Sequence, residues 1–280
     1  MLVGPKLLEW LVQVGGIMIC ALCQQQTEKL INSHLLPAAA YVHVRGQRSG
    51  GNRSPFKIDF GKGMAGPTDK QVRQKLLCKV CEDLFSKNGE KHVGRLWATK
   101  TSFPILELLS QNATLITGER FSIYDGLKLG KATVDGVFYF AISVFWRAQV
   151  WDWGDVGDGY GRALGQHYSE KFRRFLLGLS DLRDVYLLVD LNTDNETHGM
   201  MSLPSCSKVG GERIHKFMVP GMQFFMYVGR SLSSITIAPF IYAKANTVFI
   251  SSNFSVSPYF RRLAERVQAD KKLRDALGKP

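Results

Sequence analysis

Cys20-Ala21-Leu22-Cys23 and Cys78-Lys79-Val80-Cys81 bracket the run Asn32-Ser33-His34-Leu35-Leu36-Pro37. A Cys-x-x-Cys turn aims two sulfurs at one point. Two such turns complete a tetrahedral thiolate set, so Cys20, Cys23, Cys78 and Cys81 are expected to hold one structural zinc. The gap between the pairs, residues 24–77, is long for a zinc finger but suits a hairpin with an insertion. The competing reading, four buried or redox-active cysteines, fits paired spacing less well. Four thiolates leave such a zinc no open position for catalysis, so His34 is not needed as a ligand and is left for other work. Cys206 stands alone and reads as a small core or loop residue.

Composition bounds the rest. A chain of 280 residues, 45% of them hydrophobic, can bury a sizeable core,. The expected organisation is an extension over 1–17, a zinc-binding domain over 18–95 and an α+β domain over 96–280. The formal net charge is +12. Such an excess favours polyanions, with nucleic acid ahead of an anionic membrane; the plainer alternative is solubility alone. Thiolate zinc sites suit a reducing compartment, which points to the cytoplasm. Leu7 to Ala21 is apolar apart from Glu9 and Gln13, but it is shorter than the ~20 residues of a membrane span,. It also runs into the first cysteine pair. Met18 is a plausible alternative start.

Between the cysteine pairs, Arg45 to Arg53 is rich in Gly, Ser and Arg. Glycine at that density marks loops, and Arg45, Arg48 and Arg53 make this one a natural phosphate contact. A helix is expected from about Asp69, or from Cys78, through Lys87, stopping near Asn88-Gly89. Thr133 to Val150 is apolar nearly all round, as a buried helix would be, and its Arg147 needs a carboxylate or carbonyl partner. Leu164 to Leu177 reads as an amphipathic helix whose basic face carries Lys171, Arg173 and Arg174, further candidates for phosphate contact. Strand-like runs follow at Val185–Val189, Phe217–Val219, Gln223–Val228, Ile235–Ile241 and Thr247–Ile250. A charged helix from Pro258 to about Ala276 closes the chain. Together these predict a small, mostly antiparallel sheet. Asp152, Asp155 and Asp158 lack the glycine placement and final Glu of a calcium loop and read as an acidic turn.

On the simplest scaffold, the first cysteine pair makes a knuckle, a β-hairpin follows with His34 early in it, and the second pair opens a helix. Glu82 then lies in the first helical turn. His34 and Glu82 can approach one another across the hairpin–helix groove. A histidine there can take a proton from water, and a nearby carboxylate can hold a divalent metal against a phosphate. Each residue also has a plainer role: a packed histidine for His34, a helix-dipole partner for Glu82, solvent-facing side chains for Glu90 and His92.

These motifs, with Leu77 before Cys78 and with Phe85-Ser86 after Glu82, resemble the zinc-stapled HNH endonucleases. The pattern is most similar to a bacterial subgroup with Cys-x-x-Cys, Ser-His-Ile-Ile-Pro and Cys-x-x-Cys-Glu. The resemblance covers about 18–92 with specific motifs. It covers about 135–178 loosely, through Phe140-Ala-Ile-Ser-Val-Phe-Trp146-Arg147-Ala148. It implies a ββα-metal unit, phosphodiester hydrolysis of DNA with Mg²⁺ or Mn²⁺, and a setting such as restriction or phage defence, with a possible partner protein. His34 matches the family's general base, and the four cysteines match its structural zinc ligands. Ser33 stands where the family has a metal-holding acid, and Glu82 where it has a metal-binding histidine. The family's middle asparagine has no match in Val72-Arg73-Gln74-Lys75. Glu90 and His92 lie downstream as possible further ligands. Because of these departures, a second function stands beside the nuclease: a non-catalytic, zinc-stabilised module that binds nucleic acid or a protein.

Overall fold

A computed structural model describes residues 18–44, 56–59, 64–68, 70–154, 160–271 and 275. The 1–17 extension, Arg45, Arg48, Arg53, Asp155 and Asp158 lie outside the described residues. The fold is mixed α+β, with a seven-stranded sheet and helices packed on it.

The chain enters through a short hairpin of β1 (Met18–Ile19) and β2 (Gln26–Thr27) whose turn carries Cys20 and Cys23. Gln24 adopts a left-handed backbone (φ 59°), and its N–H donates to the Cys20 carbonyl at 2.9 Å, which curls the turn back on itself. Strand β3 (Ile31–His34) follows. Leu35, Leu36 and Pro37 are buried, and α1 (Ala38–Val44) leads away. A small antiparallel pair, β4 (Phe56–Asp59) and β5 (Met64–Pro67), occupies the insertion. The chain then returns as β6 (Arg73–Leu77), antiparallel to β3, with His34 opposite Arg73 and Ser33 opposite Gln74. The register slips between Ile31 and Asn32, so Leu76 on β6 is left without a partner on β3. Its carbonyl instead accepts from the Ala21 N–H at 3.1 Å, which ties the cysteine turn to the strand pair,.

Helix α2 (Lys79–Phe85) starts directly after Cys78 and runs through a π-helical turn (Ser86–Glu90) into α3 (Lys91–Val93). Asn88-Gly89 therefore does not stop the helix, contrary to the sequence expectation. Gly89 serves packing: a Cβ there would lie 2.9 Å from the Phe140 Cα. Its partner α5 (Lys131–Val150) is buried on every side from Gly136 to Ala148, as its apolar sequence predicts. Gly136 makes a matching close approach, since a Cβ on it would meet the His92 ring. The two glycines bring α5 close to the π-helical turn and α3. In the chain, α4 (Pro104–Ser110) comes between α3 and α5.

The opposite side of α5 faces the sheet, whose strand order is β10-β11-β12-β9-β13-β8-β7. The strands are β7 (Thr114–Thr117), β8 (Phe121–Tyr124), β9 (Val185–Asn192), β10 (Ser202–Val209), β11 (Glu212–Val219), β12 (Met222–Val228) and β13 (Thr247–Ser252). All neighbours run antiparallel except β9 and β13. Phe217 and Phe224 stack on the inner face at 4.5 Å, and Phe140 meets both edge-on. One continuous buried cluster runs from Cys20 and Cys81 through α5 to Phe249. Thus the cysteine-bearing segments and the sheet share a core across the 95/96 boundary.

Helix α6 (Gly165–Leu176) flanks α5. The run Ile235–Ile241, expected as a strand, is instead α7 (Ser234–Ala243). Its β-branched residues favour a strand, but local chemistry overrides them. Ser233 caps the helix by accepting from the Thr236 N–H, and Pro239 has no N–H to give a sheet ladder,. The closing helix α8 (Pro258–Ala269) is capped in the same way by Ser257.

Candidate functional site

Cys20, Cys23, Cys78 and Cys81 converge. Their sulfurs lie within 4.8 Å of one another, and together they could hold a metal ion such as zinc. Among the described residues this is the one group of three or more His, Cys, Asp or Glu side chains whose ligand atoms come together. Main-chain N–H groups at helix and turn starts point at the sulfurs, as the Cys78 N–H does at Cys20 Sγ (3.2 Å). The Cys81 side chain, then the N–H groups of Cys78, Cys23 and Leu22, hold the Cys20 thiol down, to about 4. Hydrogen bonding to that Cys20 thiolate pushes Cys81 up. Burial raises Cys23. Four sulfurs this close cannot all carry charge unless a cation sits among them, and that is the donor chemistry a zinc site requires.

Arg173 reaches the same cluster from α6. Its guanidinium donates to the Leu22 carbonyl at 2.9 Å and grips Glu170 at 2.7 Å. Lys171 pairs with Asp184 at 3.5 Å and lies over the Tyr168 ring. Arg174 is exposed. Of the basic face expected to meet phosphate, Arg173 and Lys171 therefore have protein partners.

His34 stands half-buried at the end of β3, paired with Arg73 of β6. Burial holds its imidazole below the usual histidine range. A hydrogen bond with Gln71 pulls the other way, Arg73 adds to the lowering, and the nearby charges of Glu82 and Glu90 oppose it. The ring is thus neutral at pH 7 and able to accept a proton. Ser33, fully buried, donates from Oγ to Glu82 Oε2 at 2.7 Å. Two of the departures from the HNH pattern, Ser33 and Glu82, are therefore bonded to one another.

Glu90 and His92 have other engagements. Glu90 Oε1 accepts from Arg147 at 3.0 Å, and the His92 ring packs beneath Gly136. Arg147 is completely buried on α5. It donates to the His34 carbonyl at 2.7 Å and lies 5.3 Å from the centre of the Phe85 ring. Sequence reasoning asked for a carboxylate or a carbonyl as its partner, and the fold supplies one of each. It did not place Arg147 at the histidine; the signal was a lone cation inside an apolar helix.

A cleft of about 700 Å³ opens elsewhere, between the end of α1, residues 98–107 and residues 195–200. His34 and the cysteines do not line it, so the large concavity and the candidate chemistry are separate. No helix among the described residues is long and apolar enough to cross a membrane. No family model, curated protein or solved structure matches this chain.

Proposed function

We propose that this chain is a zinc-stapled, HNH-like endonuclease that hydrolyses DNA phosphodiester bonds. The observation that carries the reading is the placement of a neutral His34 at a strand end, in the field of Glu82 and Glu90, beside a helix that starts at the second cysteine pair. Read this way, the β3–β6 pair and α2 form the ββα unit, and zinc on the four cysteines staples it.

His34 accepts the proton of the attacking water at an imidazole nitrogen. General base action of this kind contributes roughly 10²–10⁴ in rate. Ser33 orients the Glu82 carboxylate without consuming it, because a carboxylate accepts at both oxygens,. Glu82 is the side chain that would hold Mg²⁺ or Mn²⁺. These cations bind through one or two carboxylates and fill their remaining positions with water and phosphate, so a single Glu suits them. When bound, such a cation stabilises the charge that builds on the phosphate. The +12 net charge supplies attraction to the DNA backbone,. A role in restriction or phage defence rests on the family resemblance alone.

One observation favours the second reading, a non-catalytic zinc module that binds nucleic acid or a protein. Glu90 is neutralised by Arg147, and among the described residues no second convergent ligand set accompanies His34. Plasmid incubated with pure protein decides between the two. The nuclease cuts with Mg²⁺ or Mn²⁺, stops with EDTA and is abolished by His34→Ala, while zinc content and DNA affinity stay unchanged. Intact plasmid under every divalent cation, with binding retained, gives the place to the module.

A further inference from the structure

Arg147 is a buried cation with few reasons to be there. Burying a guanidinium costs several kcal/mol unless it is paired, and an apolar side chain of similar volume packs at no such cost. Its Nε has no hydrogen-bond partner, so the residue is not optimised for stability. What it does make is specific. One Nη donates to the main-chain carbonyl of His34, and the other to Glu90 Oε1 and, at 3.5 Å, to Ser143 Oγ. Ser143 is itself fixed by donating to the Phe140 carbonyl at 2.7 Å. The Phe85 ring lies beside the guanidinium. The fork thus bridges the last residue of β3 and the π-helical turn after α2.

We propose that Arg147 is a positioning residue for His34: it fixes the strand-end main chain against the π-helical turn and aims the Glu90 carboxylate, so that the imidazole is held at one place. A planar fork does this where lysine cannot, since an ammonium is a point donor without two parallel arms. The catalytic consequence rests on the nuclease reading above. The positioning itself does not.

The test uses the full-length zinc-loaded chain and Arg147→Lys, which keeps the charge and loses the fork. Plasmid cleavage with Mg²⁺ should show kcat reduced about 100-fold, the scale of a ~1 Å misplacement, at nearly unchanged KM. The NMR signal of the His34 ring should move. A purely structural role would lower the melting temperature but leave kcat and the His34 signal in place, and that result in the folded variant overturns the proposal. If the variant does not fold, the wild-type protein still decides. A guanidinium locked on two acceptors gives separate, slowly exchanging Nη proton signals, whereas a single averaged signal overturns the bridge. Wild-type protein that leaves DNA intact removes the nuclease reading alone, and the two NMR readouts then settle positioning by themselves.

Discussion

Ser33 Oγ donates to Glu82 Oε2 at 2.7 Å, so the penultimate residue of β3 is bonded to the first turn of α2. The hydroxyl is wholly buried, while the carboxylate is partly exposed. Removing the donor with Ser33→Ala leaves a carboxylate that water can still reach. The expected cost is about 1.5 kcal/mol, the lower end for a hydrogen bond to a charged group. Urea unfolding measures it. Cleavage by the variant should fall as well, because Glu82 loses its orientation. A variant as stable and as active as wild type would count against both roles of the bond.

Metal analysis of protein purified in reducing buffer should find one zinc per chain. Cys78→Ser should leave zinc well below one equivalent and lower the melting temperature. Because Cys20 and Cys81 belong to the same buried cluster as the sheet, the loss should spread through the molecule as one transition,. A variant that keeps full zinc would show that a different ligand set holds the metal.

Gly89 and Gly136 let two helices approach closely, but their tolerance differs. At Gly89 a new methyl group would meet the Phe140 backbone at 2.9 Å, which can move only with the whole helix. Gly89→Ala should therefore destabilise by about 2–3 kcal/mol through overpacking. Denaturant midpoints at constant m give the value. A neutral result would mean that the helices slide apart without cost.

Asp190 is buried on β9, with Ser252 Oγ donating to its carboxylate at 2.8 and 3.0 Å. Burial raises its pKa from 3.8 to about 7. The unfolded chain releases this proton near pH 4 and the folded protein near pH 7, so stability falls as pH rises through that window. Asp190→Asn has no such proton. It should be more stable than wild type by about 4 kcal/mol at pH 8 and nearly equal to it near pH 4. The difference isolates Asp190, because His215, pushed down to about 4 by burial, titrates alike in both proteins. A difference that does not change with pH would refute the assignment.

DNA affinity, measured across salt concentrations, separates two adjacent arginines. Arg174 is exposed, and Arg174→Ala should reduce the slope of log K against log salt by about 1,. Arg173 is spent on Leu22 and Glu170. Arg173→Ala should loosen the cysteine turn and leave the slope nearly unchanged. The reverse pattern would move the phosphate contact to Arg173.

The convergence of the four cysteines was legible because Cys-x-x-Cys spacing encodes its own geometry. So was α5, whose apolar run leaves no face for water. Strands β9, β11, β12 and β13 announced themselves by β-branched and aromatic residues. The strand reading failed at Ile235–Ile241, where one capping hydroxyl and one proline outweighed a β-rich composition. It also passed over β7, β8 and β10, which are short or polar and depend on neighbours for their pairing. Gly89 misled because a glycine that ends a helix and one that lets another helix come close look the same in a sequence. Which atoms Arg147 would find was illegible for a related reason: its two partners lie far away in the chain, and only the packing of α5 against the π-helical turn and the end of β3 brings them together.

Strands β3 and β6 are partners with no tight turn between them, for residues 35–72 intervene. A hairpin joined by two residues zips from its turn; this pair must first close a long loop, and the entropy of that closure is lost before any ladder bond compensates. The cysteine pairs sit on either side of the same loop. A metal ligated by both pairs would hold the ends of that loop together,. With zinc on the four cysteines, coordination would shorten that closure, and refolding should then be faster with zinc supplied than with a chelator present,.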